Sequence, residues 1–118
     1  MMPKSTNLSD PNLIALIRLL NKTKKPLYRT VAQKIQSPRR KRVDVNVGKL
    51  NRYTQTGDMV IVPGKVLAAG TLTHPLTVAA LSFSEHARQQ IEGVEGTCMT
   101  IAELVEQNPE GTGLKIII

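Results

Sequence analysis

Few residues in this 118-residue sequence are of types that do covalent or metal chemistry. His74 and His86 are the two histidines, and Cys98 is the single thiol. His74 precedes a proline and His86 falls in the first turn of an expected helix, so a zinc site would need carboxylates from unrelated positions. Ser84-Glu85-His86 gathers the residue types of a catalytic triad, but neighbours at a helix start do not point at one another. Ser84 is already explained as an N-cap. The Gly64-Lys65 pair lacks both the earlier glycine and the following Ser or Thr of a phosphate loop, since Val66 comes next. Gly93 and Gly96 open no dinucleotide fingerprint, and Glu92 and Glu95 straddle a glycine where paired-acid chemistry would need a shared face. The sequence predicts a non-enzyme with no cofactor, no metal and no small-molecule substrate.

What remains is ionic chemistry. Up to Lys65 there are 14 Lys and Arg against 3 Asp and Glu, a net +11, whereas the rest carries 2 against 6, a net −4. A basic half joined to a mildly acidic one implies a polyanionic partner for the first half. Arg39-Arg40-Lys41-Arg42 is the densest run. Four adjacent cations repel one another and gain nothing from packing, so the segment reads either as a solvated loop or localisation tag, or as a phosphate clamp. With the basic half around it, the clamp is the expectation. Asn46, Lys49, Arg52 and Lys65 flank it as further candidates to face the polyanion. Lys22, Lys24 and Lys25 either complement the dipole at the end of a helix or contact phosphate themselves. Lys65 is either held rigidly by a Pro63-Gly64 turn or is an exposed lysine on an edge strand.

Aromatic residues make up 3% of the sequence, and Phe83, Tyr28 and Tyr53 are the whole set. This disfavours RNA readers built on aromatic platforms and leaves Tyr53 as either a base-stacking or a core residue. A lone cysteine excludes an internal disulfide and suggests a reducing compartment. No apolar run reaches membrane-spanning or signal-peptide length, so a cytoplasmic protein without a membrane partner is expected.

The elements that must position these groups follow from periodicity. One domain over 1–118 is expected, with a loose arm at 1–10, a basic helical and extended part at 11–58, and an α/β core at 59–118. Asp10-Pro11 reads as an N-cap and first helical position, ahead of an apolar stripe at Leu13, Leu16, Ile17 and Leu20. Lys22, Lys24 and Lys25 crowd its last turn. Pro26 opens a second helix with Leu27, Val31, Ala32 and Ile35 on one face, stopped at Ser37-Pro38. Val43 to Val47 alternates like a strand; alternatively Asn46 caps a short helix from Val47 to Tyr53, which is the preferred reading. Gly57-Asp58 precedes a buried strand at Met59–Val62, and Pro63-Gly64 predicts a type II turn with glycine at positive φ before a second short strand. Leu76 to Phe83 is apolar on both faces, as in a parallel sheet covered on both sides. Ser84 caps a helix over Glu85–Glu92, and Gly93 terminates it. An extended piece at Thr97–Met99 leads to a capping box, Thr100 and Glu103, for a helix over Ile101–Gln107. Leu114 to Ile118 is a terminal strand. The alternation predicts an α/β fold: a helical N-terminal lobe followed by a layered module with a mostly parallel sheet.

At Val60 to Gly93 these residues form a known pattern. Gly64-Lys65-Val66-Leu67, Gly70 with Leu72, Leu76-Thr77-Val78, Phe83-Ser84 and Ile91-Glu92-Gly93 resemble, in order and spacing, a module shared by two ribosomal families. These are large-subunit protein eighteen-e of archaea and eukaryotes and the bacterial-type large-subunit protein fifteen. Pro38-Arg39-Arg40, Val45-Asn46, Leu50-Asn51-Arg52-Tyr53 and the Asn12 to Leu20 helix resemble the eighteen-e family, in its archaeal form. Gly93-Val94-Glu95-Gly96 departs from the adjacent glycines often found there. The resemblance implies an irregular β-β-α layered fold and a structural protein of the large ribosomal subunit without catalytic residues. Its implied partners are ribosomal RNA and neighbouring ribosomal proteins. The rival reading is a non-ribosomal adaptor that adds its C-terminal strand to a partner's sheet.

Overall fold

The computed structural model describes residues 11–36 and 43–118. The expected arm at 1–10, the N-cap Asp10, the stop at Ser37-Pro38 and the Arg39–Arg42 run lie outside the described residues.

Helix α1 (Pro11–Lys22) and helix α2 (Pro26–Ile35) each begin at a proline, where a missing N–H costs no intrahelical bond. In α1 the stripe buries Ile17 and Leu20, with Leu13 and Leu16 packed beside them. In α2 the buried face is Tyr28, Val31, Ala32 and Ile35, so Tyr28 rather than half-buried Leu27 completes the stripe. The Tyr28 hydroxyl donates to the Asn108 carbonyl at 2.5 Å, which satisfies its polar end in the core. Lys24 and Lys25 do not belong to the last turn of α1, contrary to expectation. Thr23 closes the helix by donating from Oγ1 to the Leu20 carbonyl, Lys24 adopts a positive φ of 59°, and Lys25 is the N-cap position of α2.

Both readings of 43–53 hold together: β1 (Val43–Asn46) runs directly into α3 (Val47–Tyr53). Then come β2 (Met59–Leu67), β3 (Thr77–Phe83), α4 (Glu85–Gly93), β4 (Thr97–Thr100), α5 (Ile101–Gln107) and β5 (Leu114–Ile116). Among the described residues the sheet runs β1-β2-β3-β4, with β5 also on β2, and every pairing is parallel.

The expected turn at Pro63-Gly64 is absent, and β2 passes straight through it. The register against β3 jumps from Val62↔Ala80 to Lys65↔Ser82, so two residues of β2 oppose one of β3 in a β-bulge. On its other edge β2 pairs with β5 through Met59–Ile61 and with β1 from Gly64 onward. Pro63 falls at the handover between these partners, where a missing N–H removes no ladder bond on that edge. Gly64 is needed for space rather than for positive φ: a Cβ there would lie 1.9 Å from the Val43 carbonyl oxygen.

The sheet buries both faces, as the unbroken apolar character of 76–83 predicts. Val45, Val60, Val62, Val66, Val78 and Ala80 pack against Val47 and Leu50 of α3 and Ala87 and Ile91 of α4. Ile61 and Ala79 look the other way, into Leu20, Tyr28, Val31, Ile35, Ile101 and Leu104 of α1, α2 and α5. Phe83 sits with the first layer rather than with Ala79 and Leu81.

Ser84 caps α4 as expected, accepting from the Ala87 N–H at 3.1 Å. The Thr100–Glu103 capping box of α5 is complete in both directions, at 3.1 and 2.8 Å. Gly93, however, is the last residue of α4 and not its left-handed terminator. That role falls to Glu95 at φ 66°. The Gly96 N–H reaches the Ile91 carbonyl at 2.8 Å and the Glu95 N–H the Glu92 carbonyl at 2.9 Å, a Schellman closure. The C-terminal ladder is also shorter than expected, ending at Ile116, although the Ile117 N–H still donates to the Ile61 carbonyl at 3.1 Å.

Candidate nucleic-acid interface

In a parallel sheet the connections that leave the strands' carboxyl ends gather on one side, which is where open α/β sheets hold ligands. Here that side carries α3, entered from β1, and the loop at 68–76, entered from β2. Amide side chains fix the two to each other. Asn46 occupies the N-cap position of α3 but makes no cap bond; its Oδ1 instead accepts the Ala69 N–H at 3.3 Å. Asn51 Oδ1 accepts both the N–H and the hydroxyl of Thr73 at 3.0 Å. From α4, Gln90 Nε2 donates to the Ala68 and Gly70 carbonyls at 2.9 and 3.3 Å. The Gly48 N–H donates to the Ala69 carbonyl at 3.0 Å. Gly70 must be glycine on two counts, a φ of +93° and a Cβ position 2.6 Å from Gly48 Cα.

The close approach leaves a shallow pocket of about 350 Å³ bounded by Asp44, Asn46, Gly48, Lys49, Arg52 and Gly70. Three of the candidate residues, Asn46, Lys49 and Arg52, therefore meet at one place. Lys65 stands one strand away, exposed and opposite Asp44 in the ladder. It projects from mid-strand after the bulge and is not presented by a turn, which corrects the expected geometry.

Lys22, Lys24 and Lys25 lie elsewhere. Lys25 pairs with Glu110 at 2.7 Å, on the loop that enters the amino end of β5. Because the strands are parallel, this is the end of the sheet opposite α3. The structure brings the two groups of candidate residues to two sites.

Partnering separates the cations further. In the acidic half, Arg88 lies 4.0 Å from Glu92 and 5.1 Å from the Phe83 ring, and Lys115 bonds Asp58 at 2.9 Å. That hydrogen bond from Lys115, with one from the Gln55 N–H, holds the Asp58 carboxyl below its ordinary 3.8. In the basic half, Lys49 donates to the Ile118 carbonyl. Lys22, Lys24, Arg52 and Lys65 have no side-chain partner among the described residues. The same holds for Arg18, Arg29 and Lys34, which the sequence motifs do not single out. A signal for them exists all the same: each falls off the apolar stripe of its helix while adding to the same local charge.

Two of the groups suited to catalysis, His74 and Cys98, are poorly set up for it. His74 Nε2 meets Thr54 Oγ1 at 2.7 Å, and that hydroxyl donates to the Leu50 carbonyl at 2.7 Å. Burial pushes the Cys98 thiol up, keeping it protonated and sluggish as a nucleophile. Among the described residues no three His, Cys, Asp or Glu side chains cluster to hold a metal ion, and no helix is long and apolar enough to cross a membrane.

The family model described as ribosomal protein 60S L18 and 50S L18e matches residues 1–117. The chain belongs to this family. Members of the family are structural ribosomal proteins rather than enzymes. Among similar proteins is large ribosomal subunit protein eL18 of Methanococcus maripaludis, 46% identical over 114 residues, covering 96% of this chain and 95% of the relative. The protein of the same name from Archaeoglobus fulgidus is 43% identical over 114 residues, covering 93% and 97%. That of Methanothermobacter thermautotrophicus is 42% identical over 120 residues, covering 98% and 99%. Membership overturns the non-ribosomal adaptor reading. The strand that reading would lend to a partner pairs within this chain's own sheet, on β2.

Proposed function

We propose that this protein is a structural constituent of the large ribosomal subunit that binds folded ribosomal RNA through its basic first half, in the cytoplasm, beside other ribosomal proteins. The observation that carries this reading is the contrast in partnering within a ribosomal family member: among the described residues, the cations of the acidic half are paired internally, whereas most of those in the basic half are not. An unpaired exposed cation keeps its full charge for a phosphate and releases a counterion on contact. Arg39, Arg40, Lys41 and Arg42 are assigned the main phosphate contacts. Asn46, Lys49, Arg52 and Lys65 extend the surface at the carboxyl end of the sheet, and Lys22, Lys24 and Lys25 form a second, smaller contact. The sheet and its layers hold the basic segments in a fixed shape, so RNA shape selects the site. The kinship of residues 60–93 with bacterial-type large-subunit protein fifteen rests on motif order and spacing.

Sedimentation tests the reading. The tagged protein is expected to travel with large subunits in moderate salt and to be released by ribonuclease. A protein that stays bound to its partners after complete RNA digestion contradicts it.

A further inference from the structure

Tyr53, the last residue of α3, is 58% exposed, which removes its core role. Ile118, 47% exposed, shares a depression with it of about 480 Å³, whose other walls are Lys49, Lys115, Ile116 and Ile117. Lys49 also borders the glycine-walled pocket with Asn46 and Arg52. One lysine is thus the ridge between an aromatic and aliphatic seat on one side and a polar, cationic seat on the other. Lys49 is held by its bond to the Ile118 carbonyl, and Lys115 is neutralised by Asp58, so Lys49 and Arg52 against the single carboxylate of Asp44 leave the face net positive.

We propose that this face of α3 receives one unpaired nucleotide of ribosomal RNA, its base stacked on Tyr53 and its phosphate beside Lys49 and Arg52. The inference rests on the RNA-binding reading above and adds a base contact to it. Folded RNA offers unstacked bases at loops and bulges, and an exposed ring accepts any of them through its π face. The isoleucines form an apolar floor for the edge of the base. The charge next to the ring is what distinguishes a nucleotide from an apolar protein side chain as the occupant.

Ultraviolet photo-crosslinking of the full chain to unmodified large-subunit ribosomal RNA, in which any base stacked on the ring can react, tests the assignment. Crosslinks are expected on Tyr53. Tyr53→Ala is expected to weaken binding about tenfold or more without changing its salt slope, and Tyr53→Phe to bind as the native chain does. Native affinity in Tyr53→Ala, or crosslinks only elsewhere, overturns the stacking contact while leaving the ionic reading intact. Loss of subunit association without loss of affinity for the naked RNA assigns Tyr53 to a protein neighbour and equally overturns it. If the native chain fails to bind the RNA at all, the underlying reading fails.

Discussion

Gly64→Ala is expected to be among the most damaging single-methyl changes in this protein. The added Cβ would stand 1.9 Å from the Val43 carbonyl oxygen and 2.7 Å from its carbon, both backbone atoms of the neighbouring strand. Ordinary contact needs roughly 3.4 Å or more, so β1 must move by about 1.5 Å, far enough to break its hydrogen bonds to β2. Strand β1 has four residues and cannot redistribute that shift. Overpacking alone costs about 1–3 kcal/mol. Partial exposure of Val45, now fully buried, adds roughly 1–2 kcal/mol. A total near 3–4 kcal/mol, divided by a urea slope of about 1.5 kcal/mol per molar, lowers the unfolding midpoint by about 2–2.7 M. Urea titration followed by circular dichroism measures it. A midpoint within about 0.3 M of the native value would refute the close β1 approach. Because β1 leads from the Arg39–Arg42 run into α3, the same variant is expected to lose RNA affinity as well.

Other glycine positions carry opposite signs. Gly93, the last residue of α4, has nothing within 4 Å of its would-be Cβ and no positive φ, so Gly93→Ala is expected to raise stability by about 0.5–1 kcal/mol in the same urea titration. Glu95 pays for a left-handed backbone at φ 66°, and Glu95→Gly is expected to raise the melting temperature by a few degrees; an unchanged melting temperature counts against the Schellman closure. Tyr28→Phe removes the hydroxyl bonded to Asn108 and is expected to cost about 1–2 kcal/mol in urea unfolding, since the Asn108 carbonyl loses its partner. Asp58, depressed below 3.8, contributes stability that is present above its unfolded value and lost as pH falls through the lower folded one. Lys115→Met is expected to move the Asp58 titration back up in an NMR experiment and to reduce its share of the acid-limb loss; an identical titration contradicts the pairing.

The parts of the fold legible in the sequence are those decided by neighbours in the chain. Apolar spacing marks α1 and α2, serine and threonine mark the caps of α4 and α5, and the two-sided apolar run at 76–83 marks a strand buried on both faces. Misreadings come where a distant segment decides. Pro63-Gly64 has the same local signature in a type II turn as in a continuous strand with a bulge; the distinction lies in pairing with β1, some twenty residues earlier, and with β3, further on. Nothing about a glutamate signals a left-handed residue, so Gly93 looks like a better terminator than Glu95. Asn46 resembles a cap because capping is local, whereas its bond to Ala69 crosses the site. Of the candidate site, residue types and charge are legible. What is not legible is that α3 and the 68–76 loop close on a Gly48–Gly70 approach, separating Lys49 and Arg52 from Lys25.

The central claim is that charge in the first half, held by the sheet, binds folded ribosomal RNA. The slope of log affinity against log salt tests it most directly, measured for the full chain and for Arg39, Arg40 and Arg42 replaced together by alanine. The native slope is expected to be steep, and the variant shallower by about 2–3, roughly 0.7–0.9 for each phosphate no longer neutralised, with the fold unchanged by circular dichroism. An identical slope in the two proteins would contradict the account.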